Sequence, residues 1–284
     1  TYTITPKIGN CTGASVNYVV TVNPAPTITA QPAPSTICLN GAATPLTVVV
    51  NSPVGVPTYQ WYSNITNSTT GGTAILGATL ATFNPPTNVV GEVYYYCTVS
   101  VVLGGCSSLT SAVVLVKVVA LPTITTQPID SQNICVGVSI ANPLSVVAAG
   151  GIGTVSYQWY SNTSSTTNGG STINGAFSAT YLPPTFNTAG TFYYYVTVTY
   201  PGNNCGNVTS QSAVINVFAD PTISAQPLAT QTLCSNATPT DLVVVASGGN
   251  GTFTYQWFSN ISNSNSGGSP IFGATNATFT PPTN

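Results

Sequence analysis

The groups in this sequence able to do chemistry are few: seven cysteines, four carboxylates and two lysines. The acids are Glu92, Asp130, Asp220 and Asp241, the bases are Lys7 and Lys117, and there is no histidine or arginine. General acid–base catalysis needs a titratable group held beside the reacting proton, and nucleophilic triads need a base beside the nucleophile. Zinc, calcium and magnesium sites need clustered imidazole, thiolate or carboxylate ligands. Four acids scattered over 284 residues build no such cluster, so no catalytic, metal-ligating or cofactor-binding residue is nominated and the chain reads as a non-enzyme. Two lysines make no basic stripe, which excludes nucleic acid as a partner. The longest apolar stretch, 112–121, is interrupted by Lys117 and falls well short of the ~20 residues of a spanning helix.

What remains is thiol chemistry. Six cysteines occupy two recurring positions: an early one (Cys38, Cys135, Cys234) and a late one (Cys11, Cys106, Cys205). Cys97 stands alone, its counterpart being Val196. Pairing within a repeat gives Cys38–Cys106 and Cys135–Cys205, with Cys11 and Cys234 bonded in repeats outside the sequence. Pairing between neighbours gives Cys11–Cys38, Cys106–Cys135 and Cys205–Cys234. The second scheme must bring the last hairpin of one domain to the first strand of the next, with Cα atoms within about 7 Å. The within-repeat scheme is therefore the expectation. A bond closing a loop of about 70 residues stabilises by several kcal/mol in the chain-entropy model. Regularly placed, paired cysteines imply an oxidising, extracytoplasmic location.

The elements that position these cysteines follow from internal repetition. "TYQWYSN" (58–64) returns as "SYQWYSN" (156–162) and "TYQWFSN" (254–260), and these phrases hold all three tryptophans. "GGTAILGATLATFNPPT" (71–87) returns at 169–185 and 267–283, and "GEVYYYCTV" (91–99) matches "GTFYYYVTV" (190–198). The register gives a C-terminal remnant of one repeat (1–25), two whole repeats (26–121 and 122–220) and the first two-thirds of another (221–284). The sequence thus reads as a window onto a longer, extended array.

Within a repeat, short alternating runs rich in Val, Ile, Thr and Tyr are separated by Gly and Pro turns, which is the signature of an all-β sandwich. Seven strands are expected per repeat of about 97 residues. Tyr59 and Trp61 lie two apart and share a face, as do Tyr157 with Trp159 and Tyr255 with Trp257. The strand order resembles that of an immunoglobulin-like sandwich, whose third strand carries a tryptophan into the space between the sheets. Tyr95 and Tyr194 take the place of the tyrosine-corner residue, although Gly91 lies four rather than two residues before Tyr95. The disulfide usual in such sandwiches would join Cys97 to the second strand, where Val48 stands instead.

The phrases "PTITxQP", "YQWYSN…GG…AT(F/Y).PPT", "YYY" and a "CGNVTS"-type hairpin together resemble the immunoglobulin-like repeats of giant cell-surface proteins of Bacteroidota. These include gliding adhesins and other cargo of type IX secretion. The resemblance covers essentially the whole chain. It implies export, a place at the cell surface and a stalk or adhesive role in gliding motility or cell adhesion, with no catalytic residues.

The leading expectation is a non-catalytic stalk or filament segment of a large secreted adhesin. Its partners would be neighbouring repeats of the same chain and identical chains in a fibre, since little charge opposes lateral association. One alternative is a carbohydrate- or protein-binding module, with Tyr94, Tyr96, Tyr193 and Tyr195 as a stacking surface for a surface glycan. Another is a strand-exchanged fibre subunit, in which the last strands of one chain complete the open repeat of the next. Nine Asn-x-Ser/Thr sequons occur, Asn64, Asn162 and Asn260 among them, a number that the composition accounts for.

Overall fold

The computed structural model describes residues 1–52, 55–101, 108–202 and 205–282. Every regular element among them is a β-strand. In the first repeat one sheet runs, in order, Thr73–Ala74, Pro57–Asn64, Gly91–Val101, Val114–Val119 and Ser35–Cys38, with Leu109–Thr110 also paired to Gly91–Val101. Neighbours are antiparallel except the last pair, where Val116–Val119 run parallel to Ser35–Cys38. The second sheet is made of Thr27–Ala30 with Val49–Asn51, and Leu46–Thr47 with Thr82–Phe83. The second repeat repeats this plan, its large sheet running Ser131–Cys135, Ala213–Phe218, Gly190–Thr199, Ser156–Asn162 and Ser171–Thr172.

Alternating side chains close the sandwich. Val114, Val116 and Val118 are buried while Leu115, Lys117 and Val119 are only part-covered, the period-2 pattern of a half-buried strand. One core joins Leu46 and Val48 of one sheet to Trp61, Tyr95, Cys97, Val99, Val114 and Val116 of the other.

Two breaks in the strands depart from the seven simple strands expected. The first strand crosses between sheets at Gln31–Pro32, giving Thr27–Ala30 on one sheet and Ser35–Cys38 on the other. Gln31 Oε1 holds the crossing by accepting from Ala112 N at 2.8 Å, and Gln127 Oε1 does the same for Gln211 N at 2.9 Å. The last strand splits around Ser111, whose Oγ accepts from Cys97 N at 2.9 Å and donates to Ala112 O at 3.0 Å. Ser210 makes the same pair of bonds with Val196 and Gln211. These hydroxyls satisfy backbone groups that the broken ladder would otherwise leave buried and unpaired.

Residues 1–25 form two short hairpins, Tyr2–Ile4 with Val16–Tyr18 and Lys7–Ile8 with Cys11–Thr12, and every residue of the segment is exposed. Residues 221–282 carry paired strands at Thr222–Ala225, Leu242–Val243, Val245–Ser247, Phe258–Ser259, Ser269–Pro270 and Thr278–Phe279. The compact units do not coincide with the repeats. Unit 1 takes in Thr1–Pro122 together with two loops of the second repeat, Gly150–Val155 and Tyr200–Gly206. Unit 2 takes in Thr123–Ala149, Ser156–Thr199 and Asn207–Asn284.

Candidate functional site

The tryptophan phrase is a packing and hydrogen-bonding device. Trp61 and Trp159 are fully buried, and each indole Nε1 donates to a backbone carbonyl 19 residues on, Leu80 and Ser178, at 2.9 Å. The glutamine before each tryptophan faces the other way and staples the next hairpin. Gln60 Nε2 donates to Trp61 O and Ile75 O, and Gln158 Nε2 to Trp159 O and Ile173 O. The terminal asparagine organises the following Ser/Thr loop: Asn64 Nδ2 donates to Ser68 O and Thr70 O, and Asn162 Nδ2 to Thr166 O and Asn168 O. Both amide protons of these sequon asparagines are therefore spent inside the loop.

The other expected core residues divide. Tyr95 and Tyr194 are buried, while Tyr59 and Tyr157 are half-buried. Tyr194 packs on Tyr181 with ring centroids 5.8 Å apart; burial first, and the neighbouring phenol second, push its pKa up to about 12. Trp257 and Tyr255 are half-buried. Trp257 has its stacking partner Phe279 at 5.6 Å and its bond to Asn276 O at 2.8 Å.

The tyrosines expected as a surface platform are also placed differently. Tyr96 and Tyr195 are each only 4% exposed. Their rings stack on Tyr62 and Tyr160 at 4.9 Å, nearly parallel, beneath the loop that follows the tryptophan strand. The double glycine of that loop makes room: a Cβ at Gly72 would lie 2.7 Å from Tyr96 Oη, and Gly170 N donates to Tyr195 Oη at 3.2 Å. Tyr94 and Tyr193 are half-buried. In residues 221–282 the matching positions, Phe258, Asn260, Ser264, Asn265, Gly267 and Gly268, line an open depression.

The cysteines give the largest departure. Cys38 is bonded to Cys205, 167 positions further along the sequence, with Cα atoms 5.1 Å apart. Neither the within-repeat pairs Cys38–Cys106 and Cys135–Cys205 nor the neighbour pairs involving Cys38 and Cys205 occur. Cys106 lies outside the described residues, and Cys11, Cys135 and Cys234 are free thiols.

The reason is a relay of contacts within unit 1. Gly151 N donates to Ala120 O at 3.0 Å, seating the turn at 150–153 against the end of the strand Val114–Val119. Gly202 N donates to Ile152 O at 3.0 Å, and the Tyr200 ring lies over Gly151 where a side chain would clash. Cys205, whose N donates to Gly202 O at 3.1 Å, is thereby carried to Cys38, itself in parallel register with Val119. Glycine is required at 150, since φ is +79° and a Cβ would stand 2.5 Å from Leu121 O. The "GGIG" turn was the sequence signal for this arrangement, but only the fold shows what it abuts.

Cys97 is fully buried opposite Trp61, and burial pushes its thiol up to about 11. Of the charged groups, Lys117 Nζ and Glu92 Oε1 form an exposed pair at 2.7 Å, and Thr280 donates to Asp241. Among the described residues no group of three or more His, Cys, Asp or Glu side chains is placed to hold a metal ion. No helix of the described residues is long and apolar enough to cross a membrane.

A large sheet with a parallel edge strand, faced by a second sheet across a buried tryptophan, defines tandem immunoglobulin-like β-sandwiches. The chain belongs to the family described as a domain of unknown function (DUF8696), which it matches twice, over residues 27–120 and 125–219. No curated protein matches it. Among solved structures, it is similar to an I-band fragment of titin at 15% identity and a TM-score of 0.48, covering 87% of this chain and 83% of that one. It is also similar to immunoglobulin domains 1–5 of Sidekick-1 at 17% identity and a TM-score of 0.44, covering 79% and 45%. Extracellular domains 3–5 of Drosophila OTK match at 17% identity and a TM-score of 0.33, covering 80% and 76%.

Proposed function

We propose that this chain is a non-catalytic stalk or filament segment of a large secreted surface protein, built from immunoglobulin-like repeats. The observation that carries this reading is the Cys38–Cys205 bond, which ties the early strand of one repeat to the late hairpin of the next inside one compact unit. A covalent tie between successive repeats serves a chain that must hold together end to end, and it calls for the oxidising surroundings found outside the cytoplasm. The aromatic side chains support the same reading. In both whole repeats they stack on one another in the same register. The resemblance to Bacteroidota gliding adhesins and type IX cargo adds the cell surface as the site of action.

The test is labelling of intact native cells with an antibody raised against residues 123–219. Label on unpermeabilised cells, removed by external protease, is the expected outcome. Label that appears only after permeabilisation would overturn the proposal. Saturable binding of the purified chain to one member of a glycan panel would instead favour a carbohydrate-binding module.

A further inference from the structure

The early cysteine of the second repeat has the setting of Cys38 without its bond. Cys38 stands in register with Val119 on a parallel strand, and Leu39 N donates to Val119 O at 2.8 Å. Cys135 stands in the same register with Phe218, and Val136 N donates to Phe218 O at 3.0 Å. The relay that delivers a partner is also half built. Gly249 N donates to Ala219 O at 2.6 Å, as Gly151 N does to Ala120 O. A Cβ at Gly248 would stand 2.5 Å from Asp220 O, as one at Gly150 would from Leu121 O. The turn "GGNG" at 248–251 is thus seated as "GGIG" is at 150–153. Cys38, bonded to Cys205, is fully buried, whereas Cys135 is half-exposed and reduced.

We infer that Cys135 is one half of a second disulfide of the same kind, its partner the late-hairpin cysteine of a further repeat seated on the turn at 248–251. The cysteines of the array then follow one rule: the early cysteine of each repeat bonds the late cysteine of the repeat after it. The two thiols give up their protons as the sulfurs join, and the two electrons reduce a small disulfide such as oxidised glutathione to two thiols. The inference rests on the register of the repeats and not on the surface-stalk reading, so either can fail alone.

The test is a non-reducing digest of the full-length native protein, alkylated before cleavage. The Cys135 peptide should be found joined to a cysteine in the late-hairpin position of another repeat, with at least a tenfold loss of alkylation relative to the reduced sample. A link to Cys11 in an oligomer that reductant dissolves identifies a second copy of the chain as the donor. A link to a late-hairpin cysteine outside residues 1–284 within a monomer identifies the same polypeptide. Cys135→Ser should abolish either link and leave Cys38–Cys205 in place. Alkylated Cys135 in the native protein, or Cys135 joined to Cys97, Cys106 or Cys234, would overturn the inference.

Discussion

Single residues set the response to alkaline pH. Burial raises Cys97 from 9.0 to about 11 and Tyr194 from 10.0 to about 12. Each group holds its proton more tightly in the folded chain than in the unfolded one. Its contribution to stability is therefore complete below about pH 9 and is lost as pH rises through about 11 for the thiol and about 12 for the phenol. Urea midpoints should fall steadily above pH 9. Cys97→Val, which copies Val196 of the second repeat, should remove the thiol's share of that fall. In residues 1–284 expressed alone, the same burial should leave Cys97 unalkylated at pH 8 while exposed Cys11 and Cys234 react, because only the thiolate is nucleophilic. An equal alkylation rate at all three would contradict the buried, protonated thiol. Trp159→Ala removes the central side chain of its repeat and should cost about 3–5 kcal/mol, read as a lower melting temperature for unit 2.

The hairpin that follows each tryptophan strand is held by a few polar contacts, and these give it a testable fragility. Gln158→Ala deletes two hydrogen bonds to backbone carbonyls and should destabilise by about 1–2 kcal/mol in a denaturant melt. Gly170→Ala should cost more than Gln158→Ala, because a Cβ there would meet Ser161 O at 2.8 Å and the Tyr195 ring at 2.8 Å. A neutral Gly170→Ala would show that the loop can lift off the ring. Much of this element was legible from the sequence, since the period-2 pattern around Tyr-Gln-Trp sets which faces point inward. The roles of Gln31, Ser111 and Gly72 were not legible. Each meets a residue between 14 and 81 positions away, and only strand pairing brings them together. Tyr96 and Tyr195 were misplaced for a related reason: alternation assigns them to the outer face, and the loop that roofs that face leaves no periodic trace.

For the whole molecule, the repeat register gave the fold class and the tandem plan, but a register lists equivalent cysteines without saying which copies meet. That choice depends on the turn at 150–153 docking against the preceding strand and carrying Gly202 and Cys205 with it. The resulting Cys38–Cys205 bond closes a loop of 167 residues, for which the chain-entropy model gives about 5 kcal/mol of stabilisation. Cys38→Ser should accordingly lower the melting temperature of unit 1 and abolish its sensitivity to reductant. A Cys38→Ser protein that melted like the oxidised parent would remove the bond from any role in stability.

The same bond has a mechanical meaning. Tension applied to the two ends of the chain reaches Cys38, crosses the sulfurs to Cys205 and continues, so that residues 39–204 carry none of it even if their sandwiches open. At about 3.4 Å per extended residue, some 570 Å of slack is locked behind one covalent link and becomes available only when that link is reduced. Ambient thiols would thus decide whether a pulled chain behaves as a short tether or a long one.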